Sequence, residues 1–443
     1  MISPAPGDEL SSAALDTMLE ETRALVRIPT VSADAGPAMR TGADAVAGLL
    51  GARGFDVSLL GTPTHPLVAG RRLVDPSLPT ILVYGHYDVQ PVGRLEDWHS
   101  APFDPVVRDG RLHGRGTADS KGQLVAAVAG IDLAHRLGAP PCNVVLIADG
   151  EEEIGSPNLA ATCTQHRDLL AADLVMAVDG SIHPSGRPVL ALGARGLLCL
   201  ELVATDQRVP LHSGNFGGAV PSPADRIARA LVALGSPDGA LAPPLAADAV
   251  TPTGDVLALV DALPAPELPD GVPARPAAEH YRRILLHPTF NVSSMEAGYT
   301  GPGFATTIPT SARARVDARL VPDQDPERLA QQVRDRLQEL GIDVEVRMLA
   351  RMPPTSTTPL DSASAAVTAA LEQAYGRPPV VLPRLAGTVP VSILSDLLGV
   401  PAMVVPHGNP DQNNHAPNEN LVIGQLRRAA EAMARTVRCP GLG

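Results

Sequence analysis

The sequence predicts an α/β protein, a mostly parallel sheet with helices on both faces, interrupted by an inserted α+β domain. Three observations lead there. Up to about residue 195, short apolar runs alternate with amphipathic helical runs, the pattern of a parallel sheet whose crossovers are helices. From Gly196 the runs alternate residue by residue, as half-solvated antiparallel strands do. Beyond Pro353 the earlier pattern returns. The expected division is one discontinuous domain, 1–195 with 354–443, and an insertion, 196–353.

In chain order, Leu15, Met18, Leu19 and Leu25 mark a helix to Val26, with Asp8 or Ser11 as its cap. Gly42 to Arg53 reads as a second helix ended by Gly54, and Phe55 to Leu60 as a strand. Ile81 to Tyr84 has the length and β-branched content of a buried strand. A helix at Gln123 to Leu137, a strand at Asn143 to Ala148, a helix at Leu159 to Leu170 and a strand at Leu174 to Val178 continue the alternation. In the insertion, Leu197 to Thr205, Ala312 to Leu320 and Val344 to Leu349 read as strands, and Pro326 to Leu340 as a helix ended by Gly341. The Pro- and Ala-rich stretch 236–278 contains helical spacing at Gly254 to Leu263, which favours a folded insertion over a linker. Helices at Ser362 to Tyr375, Val389 to Leu398 and Leu421 to Val437, with a strand at Ala402 to Val405, complete the first domain.

Composition excludes several classes of function. A chain of 443 residues exceeds one ordinary core, so two domains are expected. The net charge of −13 argues against a general nucleic-acid binder, and 2% aromatic residues leave little for base stacking. No basic stretch leads into an apolar one near the N-terminus, and no uninterrupted apolar run reaches about eighteen residues. A soluble cytoplasmic protein without membrane contact is the expectation. Cys142, Cys163, Cys199 and Cys439 lack C-x-x-C spacing, so they form neither a disulfide framework nor a thiolate zinc site. Any metal here must be held by imidazole and carboxylate.

Such groups recur at strand ends. The strand from Ile81 stops at Gly85-His86-Tyr87-Asp88, which puts His86 where open α/β sheets place ligand groups. Asp88 can fix the tautomer and tilt of that imidazole. Asp119 lies in a Gly-rich turn, GRGTADSKG, just before a helix. The next strand runs into Asp149-Gly150-Glu151-Glu152-Glu153, where adjacent carboxylates are costly unless solvated or neutralised by a cation. The strand after that ends in Asp179, and a late polar loop carries His415.

The segments GHYDVQP, GRGTADSKG, GEEEIGS, the strand ending in Asp179 and NNHAPNE, in this order, resemble the M20 family of dinuclear metallopeptidases. The likeness runs from the N-terminal helix to the C-terminus and is greatest to carnosinase-like and cytosolic nonspecific dipeptidases. It implies an inserted lid and dimerisation domain and two divalent ions per chain, Zn²⁺ before Mn²⁺ or Co²⁺. One ion would be held by His86 and Asp179, the other by Glu153 and His415, with Asp119 bridging. Glu152 would be the general base and Asp88 the partner of the first histidine. His212 would reach the neighbouring subunit's site in a homodimer and polarise the scissile carbonyl. Arg319 would grip the substrate's carboxylate, with Thr307, Asn291, Gly387 and Thr388 lining the pocket.

The sequence departs from the dipeptidases at Pro383-Arg384-Leu385-Ala386, where a Glu-Gly pair is expected. There Arg384 would repel a free α-amino group. Asp rather than Glu at 179 resembles members acting on free N-termini. The substrate expected is therefore a dipeptide or other small peptide, with an N-acyl or N-carbamoyl amino acid as the alternative. A silent binding module would lack a base, and Glu152 argues against it. A serine hydrolase would need a G-x-S-x-G elbow at a strand-helix junction, which is missing.

Overall fold

The structure is a computed structural model that describes residues 10–439 except 35, 139, 207–208, 267, 269–274 and 356–359. Asp8 and part of the Pro- and Ala-rich stretch lie outside the described residues. Ser11 caps the first helix, Ser12–Val26, its hydroxyl accepting from Ala14 N at 3.2 Å.

An eight-stranded sheet forms the larger layer. Its order is Asp56–Leu60, Leu67–Arg72, Asn143–Asp149, Thr80–His86, Leu174–Ala177, Ala402–Val404, Val189–Ala191 and Val380–Leu382. The middle strands are parallel, while Leu67–Arg72 joins Asn143–Asp149 antiparallel. The apolar run at Ile81 is continuous because both of its faces are buried. Ile81 and Val83 pack with Leu124, Val128 and Met433 on one side, and Leu82 and Tyr84 with Leu159 and Leu394 on the other. Helices Gly122–Arg136 and Ile423–Arg438 cover the first face; Leu159–Gln165 and Val391–Leu398 cover the second.

A separate antiparallel sheet has the order Thr289–Ala297, Ser311–Leu320, Gly196–Thr205 and Glu345–Met352. Leu198, Leu200, Leu202, Ala314 and Val316 pack on Ile227, Ala230, Leu329 and Val333 of the helices Pro223–Leu234 and Pro326–Glu339. The opposite face is charged: Glu201 sits 3.2 Å from Arg315 and 3.6 Å from Arg347. That division is what the alternation in Ala312 to Leu320 requires. The buried Arg195, next to the start of this sheet, donates to Ile284 O (2.6 Å), Thr289 Oγ1 (2.7 Å) and Arg319 O (3.2 Å).

Several elements differ from the sequence reading. Leu67–Arg72 and Thr289–Ala297 are among the strands that were not expected. Leu67–Arg72 contains Gly70 and two arginines and does not alternate; a Cβ at Gly70 would meet Leu50 and Phe55 at 3.1 Å, so the strand depends on close packing over a bare backbone. Thr289–Ala297 is a mostly exposed edge strand with a bulge between Val292 and Ser294, which removes the apolar signature. The helix expected to reach Leu170 stops at Gln165, and turns at 166–170 carry the chain on to the still-buried Leu170. The last helix starts at Ile423, because Asn420–Val422 is spent as a strand against Arg111–His113. No helix among the described residues is long and apolar enough to cross a membrane.

The two helices over the first face cross at Gly130, where a Cβ would collide with Ala430 O and meet Met433 Cβ at 2.7 Å. Gly130→Ala is therefore expected to destabilise by about 1–3 kcal/mol through overpacking. A lower urea midpoint at unchanged slope checks this, and a wild-type midpoint would mean the helices separate without cost.

Candidate metal centre

Three neighbouring parallel strands end side by side, and each delivers acid or imidazole to the same edge. His86 closes Thr80–His86, Glu152 and Glu153 follow Asn143–Asp149, and Asp179 follows Leu174–Ala177. Asp119 arrives from the turn before Gly122–Arg136, and His415 from the loop after Ala402–Val404.

These side chains meet around Asp119. Its Oδ1 lies 3.0 Å from His86 Nε2 and its Oδ2 3.0 Å from His415 Nε2. Asp179 Oδ2 is 3.9 Å from His86 Nε2, and Glu153 Oε2 is 3.1 Å from His415 Nε2. Two overlapping donor groups result, His86–Asp119–Asp179 and Asp119–Glu153–His415, each with its donor atoms within 4.8 Å of one another. Behind them, His86 Nδ1 faces the carboxylate of Asp88 at 3.3 Å, and that carboxylate accepts from Glu152 N (3.2 Å) and Glu153 N (3.0 Å). Asp88 thus ties two strand ends together while it orients the imidazole.

The three consecutive glutamates separate by direction. Glu151 turns away and accepts from His65 N (3.0 Å), Asn158 N (3.1 Å) and the hydroxyls of Thr62 and Thr64. Glu153 points at His415, and Gln90 Nε2 donates to its carboxylate and to its carbonyl, each at 3.0 Å. Glu152 lies between, in the wall of a cavity of about 330 Å³ that Glu153 and His415 also line. A tight turn at Glu152–Ile154, ended by Gly155 at φ 85°, produces this fan.

The electrostatics match the crowding. Burial raises Glu152 well above the usual carboxylate range, with Asp179, Glu153 and Asp119 adding to it against His86. Burial and then Asp119 lift Asp179 to about 7, and the same two causes raise Glu153. Hydrogen bonds to Asp119 and Glu153 lift His415 to about 10. For His86, burial is the largest influence and acts downward, but the Asp119 and Asp88 hydrogen bonds outweigh it. Asp119 is held low: burial opposes, and its hydrogen bonds to His415 and His86 prevail. Four carboxylates and two imidazoles in one hollow are the donor set of hard or borderline divalent cations, and positive charge there relieves the repulsion. The residues present fit two such ions.

Residues 82–438 match the profile of the family described as peptidase family M20/M25/M40. The chain belongs to this peptidase family. It is 28% identical over 383 residues to the Cys-Gly metallodipeptidase of Schizosaccharomyces pombe, covering 81% of this chain and 79% of the relative. Against the Beta-Ala-His dipeptidase of Rattus norvegicus it is 26% identical over 379 residues, covering 81% and 76%. Among solved structures, an M20 family metallo-carboxypeptidase from Sulfolobus solfataricus superposes with a TM-score of 0.88 at 29% identity, covering 95% of this chain and 98% of that one.

The other expected positions of this M20 peptidase are more dispersed. Arg319 and Thr388 line the same cavity, with Arg319 Nη1 donating to Thr388 Oγ1 at 2.9 Å, and Gly387 is the neighbour of Thr388. His212 and Thr307 pair in a two-residue ladder, and His212 is exposed, its Nδ1 accepting from Gly214 N at 3.0 Å. Asn291 donates to Asp317 Oδ2 at 2.9 Å on the exposed edge strand. Within one chain these three do not line the cavity of Glu152 and His415.

The expected repulsion by Arg384 is overturned. Arg384 is buried, donates to Leu285 O at 2.7 Å and lines a different cavity of about 840 Å³ with Leu192 and Val256. Its neighbours in sequence suggested the pocket, but the chain turns between it and Thr388.

Supporting residues carry little sequence signal. Asp149 accepts from Tyr84 OH (3.0 Å) and Ser156 Oγ (2.7 Å), and burial, with Asp88 next, lifts it to about 6. Gln123 Nε2 bridges Ala118 O (2.8 Å) and Gly180 O (3.0 Å), joining the Asp119 and Asp179 loops. Gln90 stands inside the quoted GHYDVQP segment and Gln123 directly after GRGTADSKG, and that placement is the one mark the sequence gives them.

In chelator-treated protein at pH 7, raised His86 and His415 carry protons and Asp179 is part-protonated, and all must lose them to bind a cation. Adding Zn²⁺ in weak buffer is therefore expected to release protons, with affinity rising as pH rises through about 7 toward 10. A pH-stat titration reads this directly; pH-independent binding without proton release would contradict it.

Proposed function

We propose that this M20 peptidase is a metal-dependent dipeptidase that cleaves the amide bond of dipeptides and other small peptides. The observation that carries the reading is the pair of donor groups sharing Asp119, with Glu152 free of both and facing the cleft. The named relatives, a Cys-Gly metallodipeptidase and a Beta-Ala-His dipeptidase, support the dipeptide as substrate class. His86 and Asp179 would hold one ion, Glu153 and His415 the other, and Asp119 both, with Zn²⁺ preferred for this mixed imidazole and carboxylate set over Mn²⁺ or Co²⁺.

Bound divalent cations supply Lewis acidity, lowering the pKa of water and polarising a carbonyl oxygen. Glu152 takes the proton from the attacking water and hands it to the departing amine. Asp88 keeps His86 in one tautomer through Nδ1. Arg319, steadied by Thr388, meets the substrate's carboxylate as a planar fork. Leu197 and Met352 form the apolar wall of the cavity beside it. An N-acyl or N-carbamoyl amino acid presents the same carboxylate to Arg319 and is the second reading.

Residues 196–353 act in this reading as a lid and dimerisation domain on a catalytic domain of 1–195 and 354–443. His212, exposed and away from its own chain's cleft, then serves the partner's site, with Thr307 beside it on the two-residue ladder and Asn291 on the edge strand of the four-stranded sheet. Four free cysteines are in keeping with a reducing cytoplasm.

Glu152→Gln is expected to lower kcat about 100- to 10,000-fold while both ions stay bound. Hydrolysis of a dipeptide panel against N-acyl and N-carbamoyl amino acids, with metal content by mass spectrometry, reads both points; loss of an ion would make Glu152 a ligand. If His212 acts across a dimer, an equilibrated mixture of Glu152→Gln and His212→Ala regains activity that neither variant has alone. A monomeric mass at full activity would refute the shared site.

A further inference from the structure

We propose that Glu419 is a positioning residue of the metal centre: its carboxylate fastens the loop that carries His415 to the loop that carries Asp119. This rests on the two-metal reading given above. The two loops are some 300 residues apart in sequence, and their donors must stand at one ion together.

Glu419 is fully buried, and its carboxylate is surrounded by donors from a single stretch of chain. Oε1 accepts the backbone N–H groups of Gly116 (3.0 Å), Ala118 (3.0 Å) and Asp119 (3.1 Å). Oε2 accepts from Arg115 Nη1 at 2.8 Å and again from Gly116 N at 3.0 Å. The backbone of Glu419 is joined as well, its carbonyl accepting from Gly114 N at 3.0 Å. Arg115 is itself buried and fixed, donating to Pro91 O at 3.2 Å and lying 5.4 Å from the centre of the Trp98 ring. One of these donors is the amide of Asp119, so the bridging ligand cannot shift its main chain without breaking a bond to a buried charge.

His415 needs such an anchor. Its side chain is 52% exposed, the residue has φ 58°, and its loop rises from the surface between Asn413 and Asn418. Beyond it, Asn418 is tied to the exposed segment at Asp97 and His99, and Glu419 is the next residue bonded to the Asp119 loop, followed by the strand Asn420–Val422. Hydrogen bonds to an ionised carboxylate are short and roughly twice as strong as neutral ones, which suits a staple between two ligand loops. A glutamine cannot replace it, because its amide N–H groups would face Arg115 and the backbone donors. An aspartate keeps the charge but is one methylene shorter.

The test compares metal-free full-length wild type, Glu419→Gln and Glu419→Asp. Zn²⁺ binding is measured by competition with a chromophoric chelator, and the stability of each metal-free protein by thermal melting. The proposal expects both variants to fold without metal, with Glu419→Gln melting below wild type because buried Arg115 loses its partner charge. It expects Zn²⁺ binding weakened about 10- to 100-fold in Glu419→Gln, as for partners of metal ligands elsewhere, and less in Glu419→Asp. Wild-type Zn²⁺ affinity in Glu419→Gln, with or without a lower melting temperature, overturns it. So does failure of both variants to fold without metal, since the role is then that of the fold. A wild-type chain that binds no Zn²⁺ would sink the two-metal reading itself, an outcome distinct from a variant that matches a zinc-binding wild type.

Discussion

The carboxylate of Asp119, held between two imidazoles at 3.0 Å on either side, is the contact around which the rest is arranged. It is one of four acids, with Glu152, Glu153 and Asp179, that share a single hollow, and like charges that close are tolerated only with compensation. The neighbouring cations are otherwise engaged: Lys121, buried two residues from Asp119, gives its ammonium to Leu25 O (2.9 Å) and Ile28 O (2.8 Å). Arg115 is bound to Glu419. The two histidines carry the compensation in the metal-free protein, and divalent ions would replace their protons.

Holding such a hollow open is the work of the framework behind it. The parallel strands bring their carboxyl ends into line through interstrand hydrogen bonds, so His86 and Asp149 stand in register as neighbours. Asp88 accepts the amides of Glu152 and Glu153, and Asp149 buttresses the turn from beneath through Glu151 N at 3.0 Å and Ser156. Gln123 joins the Asp119 and Asp179 loops and also receives His407 N at 2.8 Å. The donors His86, Glu153 and Asp179 therefore sit at or just past rigid strand ends and Asp119 in the turn before a helix, each restrained by a neutral or charged neighbour one step removed. His415 is carried on an exposed loop that Asn418 and Glu419 tie down on its C-terminal side.

The antiparallel sheet supplies the far wall of the cleft. Arg319 comes from its strand Ser311–Leu320, and its carbonyl is gripped by the buried Arg195 at the junction between the two sheets. The face towards the helices is apolar and the opposite face is a lattice of arginines and acids, so this sheet is built to pack on one side only. The groups expected to complete the site, His212 and Thr307, lie on a separate small ladder, which accounts for the need for a second copy in the proposed mechanism.

By itself the sequence determined the alternation of buried strands and helices, the change of pattern at Gly196 and the imidazole and carboxylate character of the donor groups. These are local properties: apolar period, strand-ending Gly and acid, and the absence of paired thiols can be read within a few residues. His86, Asp119, Asp179 and His415 stood out because each ends a run or sits in a distinctive turn, whereas Glu153 as a ligand came from the likeness to the M20 family. Local pattern does not separate Glu151, Glu152 and Glu153; the M20 likeness singled out Glu152 and Glu153, and only the tertiary structure shows the tight turn that aims these two at the cleft and Glu151 away from it. Tertiary structure also decided that Arg384 belongs to another cavity and that Glu419 reaches the amides of a loop some 300 residues earlier. Strands such as Leu67–Arg72 and Thr289–Ala297 were hidden for the same physical reason. Their stability comes from partners distant in the chain, and a sequence carries no local mark of a partner that only folding brings near.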